Sequence, residues 1–186
     1  WNADGVPFKS TLGLRGDFWQ KGSAYQDSTP YNYTAGQSTS TASTTYHNQY
    51  GTGKWAQFNP RWGFTYDPID EFTIKGAVYR NFAAPGMNQL YRAYTSGGTT
   101  FAAANANLSP EQNFGQEITA VWRPDDSTEI QGTFFHNQVT NYIQSTTLCG
   151  TSVNVTCGAS QYNQVGLGNW QSVPYTTISQ NLNVGN

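Results

Sequence analysis

The side chains best suited to holding a ligand in this 186-residue chain are aromatic, and they are concentrated in three long polar segments. In the second and third segments the candidates are Tyr91, Arg92, Tyr94, Phe101 and Trp170. Aromatic rings offer rigid contact area, and a tyrosine adds a polar tip. The planar guanidinium of Arg92 suits an anionic ligand. The alternative for each is packing within its loop, where the helical spacing of Met87, Leu90 and Tyr94 predicts a short helical turn.

The sequence contains no enzyme signature: no phosphate-binding loop, no paired-histidine zinc motif and no G-x-S-x-G elbow. His47 and His136 have no zinc-ligand spacing. Asp67, Asp70 and Glu71 could hold calcium, but a hairpin turn between two predicted strands is the simpler interpretation. We therefore expect neither catalysis nor a resident metal or cofactor.

The two cysteines, Cys149 and Cys157, lie in one stretch rich in Gly, Ser, Thr and Asn. A cysteine pair that closes a short polar loop is typical of an oxidising compartment. We predict that these cysteines form a disulfide, and two free thiols are the alternative.

Composition narrows the class of protein. Charged residues make up 11% of the chain, against about 25% in a soluble globular domain. The 9 Lys and Arg residues against 11 Asp and Glu residues give a net charge of −2, so no basic field exists for nucleic acid. Aromatic residues reach 15%, which argues against a disordered charged tail.

Five segments alternate apolar and polar residues with the period of two that is typical of β-strands. Among residues 57–66, Phe58, Trp62 and Phe64 share one face, and Asn59 and Arg61 share the other. Short turns containing Pro and Asp join the second segment to the third and the fourth to the fifth, which favours antiparallel pairing. The predicted strands lie near 11–19, 57–66, 72–80, 112–123 and 129–143.

The remaining connections, 20–55, 83–111 and 144–186, are long. Loops beyond about 12–15 residues are uncommon in a compact domain. Long loops at one end, short turns at the other, and strands that alternate apolar-out and polar-in are typical of transmembrane β-barrels. The predicted fold is therefore all-β, a transmembrane antiparallel β-barrel with long extracellular loops and short periplasmic turns.

The strand charges lie on the polar face: Arg15, Asp17, Arg61, Lys75 and Glu117. An Arg or Lys on the lipid face would cost about 2–4 kcal/mol at the membrane midplane. We therefore predict that these charges face the lumen and have a structural role, pairing across the wall or with a plug. A soluble β-sandwich alternates in the same way, but it does not explain the loop asymmetry.

Several short motifs of this chain occur in the same order as in a known protein family. Residues 58–68 (FNPRWGFTYDP) and 72–85 (FTIKGAVYRNFAAP) resemble a hairpin of TonB-dependent outer-membrane receptors, with Ala83 where Arg is common. Residues 87–91 (MNQLY), 105–111 (NANLSPE) and 134–143 (FFHNQVTNYI) are similar to later motifs of that family. Each match is weak alone, and their order over residues 58–143 makes the resemblance specific.

The resemblance implies a barrel of about 22 strands with a plugged lumen. Residues 1–186 would then be about five middle-to-late strands of that barrel, with the plug domain outside this sequence. It implies active import across the bacterial outer membrane of a scarce substrate such as a ferric siderophore or other metal chelate. The implied partners are outer-membrane lipid, the small-molecule substrate and the TonB–ExbB–ExbD complex, which acts through the plug.

Two alternatives remain open on the sequence alone. A soluble or surface carbohydrate-binding or adhesin β-domain would use the same loop aromatics, and its sheet would close within these residues. A passive porin-like barrel would lack a plug and would conduct without TonB.

Overall fold

A computed structural model of the chain describes residues 7–28, 31–32, 41–42, 46–97, 99–167 and 175–185. No helix in these ranges is long and apolar enough to cross a membrane. The strands are β1 Phe8–Gly13, β2 Gly16–Lys21, β3 Ala24–Ser28, β4 Tyr31–Asn32, β5 Thr41–Ala42, β6 Tyr46–Tyr50, β7 Gly53–Phe58, β8 Arg61–Ile69, β9 Phe72–Ala83, β10 Tyr94–Ser96, β11 Thr100–Ala103, β12 Glu111–Asp125, β13 Thr128–Thr140, β14 Tyr142–Cys149 and β15 Thr177–Val184. The helices are α1 Met87–Tyr91 and α2 Ala159–Gln164, with a 3-10 turn at Thr151–Val153.

The largest sheet, here called the wall sheet, has the strand order β1-β8-β9-β12-β13. All its pairings are antiparallel, and tight turns join β8 to β9 and β12 to β13. The prediction of an all-β, antiparallel barrel-type fold is confirmed, and the sheet is an open part of a barrel.

The register of the wall sheet separates two faces, because cross-strand partners point to the same side. Phe64, Gly76, Ile118 and Phe134 form one row across four strands, with Trp122 and Ile130 in a row nearer the turns. We call this side the apolar face. Most of its rings and aliphatic chains are exposed, reaching 71% for Phe134, and Phe64 is partly exposed. A soluble domain would bury such a face, whereas lipid covers it in a barrel.

The segment 11–19, predicted as one strand, is divided in the structure. β1 pairs with β8 and β2 pairs with β7, with Leu14 and Arg15 between them. The partner strand is interrupted at the same level by Asn59 and Pro60, and a proline lacks the N–H that a ladder requires. The Asn59 N–H donates to the Arg15 carbonyl (2.8 Å), which keeps the two halves aligned.

The segment 129–143 is also divided. β13 ends at Thr140, and Asn141 adopts a left-handed conformation with φ 55° before β14 begins. Asparagine tolerates this conformation better than most residues. The chain therefore changes direction here, leaves the wall sheet and enters a second sheet.

The three predicted long loops contain strands of their own, so the structure differs from the prediction. β3 pairs with β6 and β4 with β5, as a hairpin continuing β2 and β7. A second sheet, here called the loop sheet, has the order β10-β11-β15-β14, and its β11–β15 pair is parallel. Parallel pairing joins residues distant in sequence, so no local pattern predicts it.

The buried core lies beside the loop sheet and not behind the wall sheet. Its largest members, Tyr50, Phe101, Tyr162 and Tyr175, are each less than 9% exposed, and Ile178 is fully buried among them. Residues 20–28, 46–55, 86–97, 99–110, 142–167 and 175–184 form this packed unit, which we call the loop lobe. The predicted helical turn is present as α1, with Leu90 fully buried.

Candidate functional site

The first and second long segments are joined by side-chain hydrogen bonds to backbone. The Gln26 amide donates to the Ala93 carbonyl (2.9 Å), and the Ala93 N–H donates to Gln26 Oε1 (2.9 Å). The Gln26 side chain thus makes with the Ala93 backbone the two hydrogen bonds that a residue of a neighbouring strand would make. Lys21 is nearly buried, donates to the Ala106 carbonyl and lies 5.6 Å from the centre of the Trp55 ring. Burial lowers the pKa of Lys21.

The second and third segments are joined in the same manner. The Gln180 amide donates to the Ala104 carbonyl (2.9 Å), and the Asn105 amide donates to the Asn181 carbonyl (2.8 Å). Asn183 Oδ1 accepts from the Ser109 N–H (2.8 Å), and the Asn183 amide donates to the Ser109 carbonyl (3.0 Å). Because buried amides left without partners are costly, these matched pairs fix the relative position of the segments.

The third segment is held internally by a tyrosine and a disulfide. Tyr162 is buried; its hydroxyl donates to the Tyr175 carbonyl (3.1 Å) and accepts from the Tyr175 N–H (3.0 Å). Burial raises the pKa of Tyr162. Cys149 and Cys157 are joined in a disulfide with a Cα–Cα distance of 5.1 Å, and Cys149 is fully buried.

A cavity of about 410 Å³ lies at one end of the loop sheet, between the sheet and α1. Tyr94 and Ser179 both pair with Ala102. Because the side chain of Ala102 is small, the face that these three residues share stays open. The side chains on this face of the sheet are Tyr94, Ala102, Ser145, Ser179 and Asn181. The α1 end contributes Asn88, Gln89 and Arg92. Among the described residues, the cavity therefore has a small polar floor, an aromatic side and one cation.

Arg92 and Tyr94 meet at this cavity. The guanidinium carbon of Arg92 lies 5.7 Å from the centre of the Tyr94 ring, within the range of a cation–π contact. Both residues are exposed, with Tyr94 53% accessible. The two side chains can therefore reach a ligand without rearrangement of the core.

The other predicted ligand residues lie elsewhere. Tyr91 is partly buried, contacts Tyr50 at 5.4 Å between ring centres and donates to the Gly22 carbonyl (3.4 Å). Phe101 is 4% exposed and stacks on Tyr175 at 5.0 Å, so it stabilises the lobe and does not border the cavity. Trp170 lies outside the described residues.

Three of the five predicted lumen charges lie in strands of the wall sheet, whereas Arg15 lies just before β2 and Asp17 lies in β2. Arg61, Lys75 and Glu117 lie on the side of the wall sheet opposite the apolar face, by the register of their partners. Asp17 Oδ2 accepts from Arg15 Nε (2.7 Å) and from the Asn59 amide (2.7 Å). Arg61 borders a concavity of about 740 Å³ on this face, which also contains Gly13 and Tyr79.

Sequence reasoning did not identify Ser145, Ser179 and Asn181. Their position at the cavity follows from the register of β14 on β15 and of β15 on β11. Serine and asparagine are abundant throughout the polar segments, so residue type alone could not distinguish these three. Arg92 and Tyr94 were detectable because a cation and a tyrosine two residues apart are rarer.

An exposed apolar face, an opposite polar face and a folded lobe at one end together define part of the wall of a membrane β-barrel. The sequence model of the family "TonB dependent receptor-like, beta-barrel" matches residues 1–185, and the chain belongs to that family. This is a receptor family and not an enzyme class.

The fold is similar to that of a solved structure, a double mutant of the Serratia marcescens hemophore receptor HasR in complex with its hemophore HasA and heme. The TM-score is 0.63 at 13% identity, over 95% of this chain and 27% of that one. The chain thus spans about a quarter of that receptor's length. A comparison with curated proteins finds no match.

Proposed function

We propose that this chain forms part of the barrel wall and the substrate-capturing lobe of a TonB-dependent importer of the bacterial outer membrane. The observation that carries the proposal is the arrangement of the two sheets. A wall sheet with an exposed apolar face continues directly into a packed lobe that presents an open polar cavity. Family membership supports the same assignment.

The substrate proposed is a ferric siderophore or another metal chelate, captured between Arg92 and Tyr94. A guanidinium offers several fixed donors to oxygen ligands, and an adjacent ring offers flat contact area. The polar face of the wall sheet, with Arg61, Lys75 and Glu117, would line the lumen and contact the plug. Energy would come from the TonB–ExbB–ExbD complex acting through that plug.

The test uses the complete receptor in its own outer membrane. Uptake of a labelled ferric chelate is measured in cells with the receptor, in cells lacking it, and in cells lacking TonB. We expect uptake only where receptor and TonB are both present. Uptake that persists without TonB would indicate a passive porin. A complete reading frame with no plug domain upstream would also overturn the proposal.

A further inference from the structure

We infer that the cavity at the end of the loop sheet binds an oxygen-rich ligand of low charge, either uncharged or with a single anionic group. This inference rests on the proposed function, since it names the kind of substrate that the importer would capture. It depends on three independent observations: the low charge of the cavity, the polar side chains of its floor, and the rigidity of its border.

The charge of the cavity is small. Of the described side chains that border it, only that of Arg92 is ionised at neutral pH. Removing a charged group from water without a partner is costly, so a multiply anionic ligand needs several cations around it. One guanidinium can neutralise one carboxylate or its equivalent. A triply anionic chelate would therefore bind here with most of its charge uncompensated.

The floor of the cavity is matched to neutral oxygen atoms. Ser145, Ser179 and Asn181 carry hydroxyl and amide groups, which can both donate and accept hydrogen bonds. Their side chains make no hydrogen bond with any other residue in the described ranges. Carbonyl and hydroxyl groups of a ligand can therefore use them without displacing an internal partner. Ala102 lies between Tyr94 and Ser179 in the register, and its small side chain leaves the space above the floor open.

The border of the cavity is preorganised. Gln89 is held by two contacts, since its Oε1 accepts from the Gly86 N–H (2.8 Å) and its carbonyl accepts from the Asn105 N–H (2.9 Å). Gln180 is buried and bonded to Ala104 beneath the sheet. A rigid border lowers the entropy lost on binding. A site without strong electrostatic attraction can then still bind a neutral ligand.

The same chemistry could come from a neutral metal chelate or from a sugar, and the experiment separates them. The purified complete receptor is titrated with an uncharged ferric trihydroxamate, a triply anionic ferric tricatecholate and a neutral oligosaccharide. Quenching of intrinsic fluorescence reports binding by the metal chelates, and calorimetry reports binding by the sugar. We expect the uncharged chelate to bind at least tenfold more tightly than the tricatecholate.

Two variants that fill the cavity test its location. Ala102→Phe and Ser179→Leu come from neighbouring strands, and each should weaken binding of the uncharged chelate by at least tenfold. Ala56→Phe is the matched control, because Ala56 is an exposed strand residue of β7 that does not border the cavity. It should leave the affinity unchanged. Protease resistance of each variant establishes that the lobe is folded.

A charge variant tests the single cation. Arg92→Gln should weaken binding of a singly anionic ferric hydroxycarboxylate by about tenfold, because one charge-assisted bond is lost. It should weaken binding of the uncharged chelate by a smaller factor, because that ligand has no charge to pair with the guanidinium. Lys54→Gln, an exposed cation of β7 away from the cavity, is the matched control and should change neither affinity.

The outcomes separate this inference from the proposed function. Tighter binding of the tricatecholate, or unchanged binding in both folded cavity-filling variants, would overturn the inference while TonB-dependent uptake still supports an importer. Binding of the oligosaccharide alone, lost in the same variants, would support a low-charge oxygen-rich ligand and overturn the metal-chelate substrate. Binding of none of the probes would overturn the inference.

Discussion

At the scale of single residues, Tyr162 connects α2 to the chain that leads into β15. Its hydroxyl satisfies both the N–H and the carbonyl of Tyr175. We expect Tyr162→Phe to leave these buried backbone groups without their partner and to destabilise the lobe by about 1–3 kcal/mol. Hydrogen exchange of residues 159–180 in the complete receptor measures the loss. Thr95→Val is a comparison, because Thr95 bonds the Tyr175 hydroxyl and not its backbone; an equal effect of the two variants would contradict this account.

The same tyrosine predicts a pH dependence. Burial raises the pKa of Tyr162 above its ordinary value of 10.0. Above about pH 10 the unfolded chain loses the phenolic proton while the folded lobe retains it, so stability falls as the pH rises through this range. Below that range the contribution of Tyr162 is fully present. Limited proteolysis of the lobe between pH 7 and 11 should show accelerated cleavage only at the alkaline end.

The control for this pH dependence is the Tyr162→Phe variant. It has no group to titrate at that position, so its cleavage rate should rise less steeply above pH 10 than that of the native chain. The same steepness in both proteins would assign the alkaline loss to other tyrosines.

At the scale of elements, β13 offers adjacent phenylalanines on opposite faces of the wall sheet. Phe134 is 71% exposed on the apolar face, and Phe135 is 67% exposed on the polar face. We expect Phe134→Lys to destabilise the barrel by about 1–4 kcal/mol, depending on its depth in the bilayer, because a lipid-facing ammonium loses its hydration. Phe135→Lys should cost less, since water or the plug faces it.

The measurement for this pair is denaturant unfolding of the complete receptor in lipid vesicles. Each lysine replaces a phenylalanine of similar exposure, so the two variants control for each other. Equal destabilisation by both would contradict a lipid-facing side and would favour a soluble sandwich.

The wall strands could be predicted from the sequence because their environment is local. In β9, Phe72 and Ile74 lie on the apolar face, while Thr73 and Lys75 lie on the polar face. This alternation is visible in the sequence itself. The loop sheet could not be predicted in this way. The strand Thr100–Ala103 reads TFAA, and its partner β15 lies far along the sequence. This segment is a strand because of its long-range packing, since the preference of a residue for β-structure depends strongly on its surroundings.

The same physical difference applies to the cavity. Arg92 and Tyr94 are close in sequence, and their residue types indicate ligand contact. Ser179 and Ser145 reach the cavity through the register of three strands. Phe101 is as good a candidate for ligand contact by residue type. It points into the core, however, because side chains alternate between the two faces of β11. A one-residue shift in register would exchange Phe101 with Ala102.

At the scale of the whole molecule, the apolar surface of the wall sheet is covered by lipid, and that of the loop lobe is covered by other parts of the lobe. The lobe has its own packed core, centred on Tyr162 and Ile178, as a water-soluble unit does. The wall sheet has an exposed apolar face and relies on lipid. This division bears on the composition, because the lobe is richer in Asn, Gln, Ser and Thr than the wall strands and poorer in charge. Four charged residues lie in the lobe, Lys21, Asp27, Lys54 and Arg92, whereas ten lie in the five wall strands.

The edges of the wall sheet give the last prediction. Among the described residues β1 pairs only with β8, and β13 pairs only with β12, so each leaves one side of its backbone unpaired. Unpaired edges beside an apolar face promote aggregation, and barrel closure removes them. We therefore expect the 186-residue chain, expressed alone, to aggregate without detergent, while the complete receptor in micelles protects the outward amides of β1 and β13 from exchange. A chain that is monomeric in water, with those amides protected, would have closed its sheet within these residues and could not be part of a larger barrel.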